Sequence, residues 1–416
     1  MTVSETVLAN VPACTEDLPS EQQRIQDLET AVLRVHEYLV ELQSTARTVE
    51  VILSQLTTRM IQLEGHFSNL RSSMVAENRV PGEVAPRQTD EALRKLAIKT
   101  TNGQPFGSYF NTRFRDYETA IRNVKNLAAH RGSEIYRELG HGNVSGPKVV
   151  PLKAKGCTEA DIESDWVAFW CKEINIPVSY HRKTWELAYV AQILFNEGKL
   201  VEGSCGIGFA CGEEPLPSLF AKYGVRVLAT DLDPNRAEAQ GWIKTNQHAA
   251  SFDKLRRADI CPDLSRLDTM EGAYLDMNQI PADLNGKFDF CWSICSLEHL
   301  GSIANGLKFI ENSLEILKPG GVSVHTMEFN VNEGETVDNW PTVLFQKQHL
   351  LHLSEKLRAR GFEVYPFDFD RGQGILDGFV DLPPYLDENH TRHAHLKLSV
   401  DGFVCTSFSF VVKVPA

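Results

Sequence analysis

The sequence predicts an α/β protein: a doubly wound sheet with an antiparallel C-terminal edge, preceded by a helical region and a long N-terminal coiled coil. Three observations predict it. Beyond Pro177, short apolar runs alternate with amphipathic ones, as strands alternate with crossover helices in a parallel sheet. Two of these runs, in LVEGSCGIGFACG and LATDLDP, end in a glycine-rich turn and in an acid, the features such sheets present to ligands. Between Ile25 and Met74 the apolar residues step by three and four without a break.

Length and charge narrow the classes. The 416 residues hold two or three structural units. With 42 Lys and Arg against 55 Asp and Glu the net charge is −13, so the surface repels phosphate backbones and no general nucleic-acid binder is expected. No apolar stretch approaches the ~20 residues that span a bilayer, and the first residues lack the basic and apolar regions of a secretory leader. The expectation is a cytoplasmic protein that does not span a membrane. Nine cysteines without a CxxC pair fit reduced thiols better than a disulfide framework or a zinc site.

Residues 1–20 read as a disordered tail and 21–76 as a coiled coil. Its core positions include Leu28, Leu39, Leu42, Leu53, Leu56, Leu63 and Leu70, and ~1.5 Å per residue gives a rod of ~75 Å. Homo-oligomerisation is the expectation, and a long helix folded back on the rest of the chain is the alternative. Pro81, Gly82 and Pro86 break the period, so 77–90 reads as a linker. Residues 91–177 read as a helical lid or adaptor, with Thr158 capping the run TEADIESDWVAFWCKEI.

From 178 to 416 the elements follow in order. A helix is expected near 183–196, a strand over 200–202 ending in Glu202, a helix from about Glu214 and a strand over 225–230. A strand over 288–293, a helix over 302–317, a strand over 322–328, a helix over 346–360 and a strand over 362–367 come next. A hairpin over 395–412, turned at Asp401 and Gly402, closes the sheet.

The turn after the first strand contains Gly206 and Gly208, where a Cβ would block close approach of a ligand; the alternative is a tight turn without one. Asp231 at the tip of the next strand can accept both hydroxyls of a ribose. Cys211 stands where a dinucleotide fingerprint needs its third glycine, and the acid Glu202 suits a ligand with a cationic amino acid end. Here the chain resembles the class I methyltransferases that use S-adenosyl-L-methionine, with Glu202, Ser204, Gly206 and Gly208 in the first motif. The resemblance continues through YLDMNQIP, which implies that Asp276 and Met277 grip adenine, and through KFDFCWSICSLEHL to LKPGGVSVHTMEFN. It implies a Rossmann-like sheet over 178–416. Within the family the chain looks like methyltransferases encoded among bacterial glycan and lipopolysaccharide genes.

Methyl transfer is an in-line displacement, so a protein aligns the reactants and removes a proton from a hydroxyl acceptor. The loop after the fourth strand carries Ser293, Ser296, Glu298 and His299 to the sheet edge, with Ser293 expected at the cofactor. His299 is the first choice as base, with Glu298 orienting it or taking its place; a helix-end hydrogen bond is its structural alternative. His325 and Glu328 compete, but alternation places them on opposite faces of their strand. A divalent ion on Glu298, His299, His325, Glu328, His390, His393 and His395 is less well supported than hydrogen bonding, since no His pair has helical ligand spacing, and no metal is expected. His181, Arg182 and Lys183 either clamp an acidic group or begin a solvated helix. The expected function is transfer to an oxygen of a carbohydrate or glycan. Methylation of a small metabolite or amino-sugar nitrogen is the second reading, and a noncatalytic binding scaffold the third.

Overall fold

The structure is a computed structural model. It describes residues 146–416 except 237–247, 249–250, 384 and 386–393, together with 120–121, 123–132 and 134. All of these lie in the unit Gly107–Ala416. The coiled coil, the tail, the linker, the start of the 91–177 region, His390 and His393 lie outside the described residues.

Residues 123–132 are helical. After β1 (Ala154–Lys155), the single expected helix divides into α1 (Glu159–Ile162), capped by Thr158 as its sequence suggests, and α2 (Asp165–Glu173), which Ser164 starts by accepting a bond from the Val167 amide. Helix α3 (Arg182–Asn196) begins at His181, whose Nδ1 accepts from the Lys183 amide at 3.0 Å.

The first strand of the main sheet, β2, is Cys205–Phe209, not 200–202. Gly198 and Gly203 lie in the left-handed region at φ +65° and +85°, which ends extended backbone around Leu200 and starts the strand later. Then come α4 (Leu216–Lys222), β3 (Arg226–Asp231), α5 (Leu264–Leu267), β4 (Glu271–Tyr274) and β5 (Phe288–Ile294). Helix α6 (Ile303–Ser313), capped by Ser302, stops short of Leu317 because Leu317 already pairs with Phe288 as the start of β6 (Leu317–Asn330). After α7 (Lys347–Ala359), the strand expected over 362–367 is two pieces, β7 (Glu363–Val364) and β8 (Phe367–Asp368). Between them is Pro366, which has no N–H for a ladder. The last strands are β9 (Val380–Asp381), β10 (Lys397–Val400) and β11 (Phe403–Lys413).

The main sheet runs β4-β3-β2-β5-β6-β11-β10-β9, with β7 also on β11. Pairs from β4 to β6 are parallel; β11 is antiparallel to both β6 and β10. This is the expected doubly wound sheet with an antiparallel edge. Side chains alternate across it. Phe290 and Trp292 pack with Trp170, Trp185 and Phe220 of α2, α3 and α4, whereas Cys291 faces Phe309 and Ile310 of α6. Two cores thus sandwich the sheet and leave the carboxyl ends of its parallel strands open. No helix among the described residues is long and apolar enough to cross a membrane.

Candidate active site

The carboxyl ends of β2 to β5 open into a cavity of about 1010 Å³. Its first half is built by the loops after β2, β3 and β4. Ala210 and Gly212 take φ +49° and +54°, which turns the chain sharply out of β2 and directs the Gly212 amide at the end of β3. There Asp231, buried, accepts from the Gly212 amide at 3.1 Å and from the Leu232 amide at 2.8 Å. His248 Nε2 meets the Leu232 carbonyl at 2.7 Å and stands 3.6 Å from Asp231. Beyond β4, Asp276 accepts from the Asn278 amide and pairs with Arg236 at 2.7 Å, while Met277 is buried beside them. Glu214 accepts from Trp292 Nε1 at 2.6 Å, and burial pushes its carboxyl up to about 8.

The second half is polar and lies beyond β5 and β6. At the end of β5 the chain turns through Cys295 at φ +42°, in the left-handed region rarely taken by residues other than glycine. The short turn Leu297–His299 follows and is pinned to the segment 341–343: the Val343 amide donates to the Glu298 carbonyl at 2.9 Å, and His299 Nδ1 lies 3.1 Å from the Pro341 carbonyl. A carbonyl can only accept, so Nδ1 carries the proton, and in the neutral ring Nε2 is the acceptor. Burial, reinforced by Lys183 and Arg182, lowers this imidazole to about 4 against the Pro341 bond. It is neutral at physiological pH.

Arg182 reaches in from the first turn of α3. It pairs with Glu328 of β6 at 2.8 Å and with Glu186 at 3.4 Å, while Lys183 holds the other Glu186 oxygen at 3.0 Å. Burial works against ionisation of Glu186, but Lys183, Arg182 and the Ser407 hydroxyl together hold it below the usual range. Burial raises Glu298 and Glu328 instead. At the far end, His395 Nδ1 lies 2.7 Å from Asp381, its ring stacks on His181 at 4.6 Å, and Lys125 pairs with Asp381 at 2.7 Å.

Asp231, Asp276, Met277, Glu298 and His299 therefore line one cavity. Glu202, Ser204, Gly206, Gly208 and Ser293 do not. Glu202 precedes β2 at the opposite end of the strand, where it is exposed and bonded to Arg266 at 2.9 Å. Gly206 and Gly208 lie inside β2, where they make room for the rings of β5. A Cβ at Gly206 would stand 2.4 Å from Phe290 Cζ, and one at Gly208 2.3 Å from Trp292 Cζ2. The close approach expected of a ligand is made by aromatic side chains. Ser293 faces the other core and bonds His325 Nδ1 at 2.8 Å; His325 Nε2 meets Ser323 at 2.7 Å, and burial drives this imidazole down to about 3. His325 and Glu328 do lie on opposite faces, which leaves Glu328 alone of the two at the cavity.

Sequence reasoning missed Gly212, Glu214, Cys295, Lys125 and the Asp381–His395 pair. The φ > 0 turn at ACG was the one local signal for the loop. His181, Arg182 and Lys183 all line the cavity, but Arg182 and Lys183 are paired with Glu186 and Glu328, and His181 accepts from the Lys183 amide and stacks on His395. Among the described residues no three His, Cys, Asp or Glu converge as a metal site.

Residues 181–366 match the family described as a methyltransferase domain. No curated protein matches the chain. Three solved structures are similar to it. A candidate sarcosine dimethylglycine methyltransferase from Galdieria sulphuraria is 17% identical with a TM-score of 0.26, over 41% of this chain and 51% of that one, so the match spans about half of the Galdieria protein. A SAM-dependent methyltransferase from Aquifex aeolicus is 15% identical, TM-score 0.29, over 54% and 88% of the two chains. One from Methanosarcina mazei is 15% identical, TM-score 0.33, over 53% and 97%. Residues 181–366 thus resemble a methyltransferase domain, and S-adenosyl-L-methionine is the cofactor that such a domain implies. The first half of the cavity fits it: Asp231 offers carboxylate oxygens at a strand tip, His248 Nδ1 is buried without a hydrogen-bond partner among the described residues, and Met277 offers an apolar wall.

Proposed function

We propose that this protein transfers the methyl group of S-adenosyl-L-methionine to a hydroxyl oxygen of a carbohydrate or glycan. The observation that carries the reading is one continuous cavity with two unlike halves. One half is formed by Gly212, Asp231, Asp276 and Met277 at the ends of β2 to β4; the other is lined by Arg182, Glu298, His299 and Glu328. The first holds the cofactor: Asp231 accepts from the ribose hydroxyls, and Asp276 and Met277 flank the adenine. The cofactor supplies the methyl on a sulfonium, which needs no further activation.

The chain's own work is alignment and proton removal. As the acceptor oxygen forms its bond to the methyl carbon and the carbon–sulfur bond breaks, the hydroxyl proton passes to His299 Nε2. The Nδ1–H bond to Pro341 keeps that tautomer and orients the ring. Its low proton affinity keeps His299 an acceptor at neutral pH. His299→Ala should bind S-adenosyl-L-methionine within a few fold of the parent by titration calorimetry and lose roughly 10²- to 10⁴-fold in turnover. Loss of cofactor affinity, or activity within a few fold, would remove His299 from this role. A parent that binds the cofactor yet methylates no member of a glycan panel would end the carbohydrate reading.

The domain works in the cytoplasm as part of a homo-oligomer joined through residues 21–76. Support comes from the unbroken apolar period of Ile25 to Met74. Light scattering that reports a monomer would contradict this.

A further inference from the structure

Three buried polar atoms in the second half of the cavity have no hydrogen-bond partner among the described residues: Glu298 Oε2, Glu328 Oε1 and Ser296 Oγ. Their residues are only 2%, 4% and 8% exposed, and all three line the cavity. A buried carboxylate oxygen without a donor is costly, and native structures rarely leave one. Two such oxygens lining one cavity, from the β5 loop and from β6, therefore specify a ligand that brings donors. We propose that Glu298 and Glu328 determine acceptor specificity by each accepting a hydrogen bond from neighbouring hydroxyls of a neutral saccharide. This rests on the methyltransferase reading above.

Charge selects the neutral class. An anionic acceptor would place its charge against the two carboxylate oxygens, and the nearest cations already face carboxylates, Arg182 those of Glu328 and Glu186 and Lys183 that of Glu186; the buried Arg182 Nε–H, without a partner among the described residues, can donate to a neutral sugar oxygen. A protonated amine would sit beside Arg182, whose Nη2 is 2.8 Å from the Glu328 carboxylate, and it would have no lone pair to attack a methyl group. Hydroxyls donate without adding charge and keep lone pairs. The turn is also prepared for the task. Val343 and Pro341 pin Glu298 and His299 on the same three-residue turn, so a sugar bonded to Glu298 lies next to the base without reordering the chain.

The test uses the full chain, labelled S-adenosyl-L-methionine, and the methyl glycosides of glucose, mannose, galactose and rhamnose with their monodeoxy analogues. The parent should methylate at least one of these sugars. Glu298→Gln and Glu328→Gln should each raise KM for it by about tenfold to a hundredfold, the loss expected for a hydrogen bond to a charged group, with cofactor affinity unchanged. Removing the matching sugar hydroxyl should weaken the parent equally and add nothing in the corresponding variant. Glu298→Gln breaks no ion pair, so it remains informative should Glu328→Gln fail to fold. Unchanged KM in a folded Glu298→Gln protein, or methylation confined to phosphorylated sugars or amines, would overturn the proposal. So would cofactor binding without methylation of any sugar. A parent that fails to bind the cofactor at all is a different result: it removes the methyltransferase reading, and this proposal with it.

Discussion

Replacing Asp231 with Asn is the most direct test of how the cavity holds its cofactor. The carboxylate of Asp231 does two jobs at the tip of β3. It fixes the loops after β2 and β3 through the amides of Gly212 and Leu232, at 3.1 and 2.8 Å, and it is the proposed acceptor for ribose. Asparagine keeps one oxygen and presents an NH₂ group where the second oxygen faced a donor. Either Gly212 or Leu232 then loses a charge-assisted bond, about 1.5 to 3 kcal/mol, and the apo protein should unfold at lower denaturant by that amount. The ribose bond is lost separately. The same range corresponds to roughly 10- to 150-fold in dissociation constant. Titration calorimetry with S-adenosyl-L-methionine, well below the variant's melting temperature, separates the two effects. A folded variant whose affinity stays within twofold of the parent would refute the assignment of Asp231 to the cofactor.

Two further outcomes follow from the packing. Gly208→Ala places a Cβ 2.3 Å from Trp292 Cζ2 and 2.5 Å from Cys211 Sγ in a fully buried strand, so it should destabilise the fold by at least the 1 to 3 kcal/mol of an overpacked core; unaltered denaturant unfolding would refute the ring-packing role. His325, lowered to about 3 by burial, binds no proton in the folded chain where the unfolded chain, near 6.5, does. Stability from this group is therefore complete above about 6.5 and is lost as pH falls toward 3, by several kcal/mol (on the order of 1.4 per pH unit). Between pH 7 and 4 the parent should lose stability relative to His325→Gln, and parallel profiles would count against a neutral buried imidazole.

The parts of the fold that could be read from sequence are those whose signal is local. Asp231 ends an apolar run before a proline turn, so LATDLDP marks a strand tip without any partner. The hairpin at Asp401 and Gly402 and the cap at Thr158 are equally self-contained. The first strand is different. LVE has the composition of a strand and CGIGF does not, yet CGIGF is the strand, because its glycines admit Phe290 and Trp292 from β5, more than eighty positions away. Only the pairing partner explains that choice, and it also moves Glu202 from the cavity to the opposite end of β2.

The second, polar half of the cavity was hidden for the same reason, and its construction follows from the sheet order. Arg182 begins a helix before the first sheet strand, Glu328 lies in the fifth, and their 2.8 Å contact forms because α3 packs across β5 and β6. The sequence made these residues look like a basic patch and a spare acid. Placed together they neutralise one another's buried charge and leave one carboxylate oxygen, Glu328 Oε1, without a hydrogen-bond partner among the described residues. A purely structural ion pair gains nothing by leaving a buried oxygen without a donor. The asymmetry is what separates Glu328 from His325 three residues earlier. Both His325 nitrogens are bonded by serines of the closed core, so His325 has no capacity left for a ligand, whereas Glu328 retains an acceptor oxygen at the cavity beyond the strand ends.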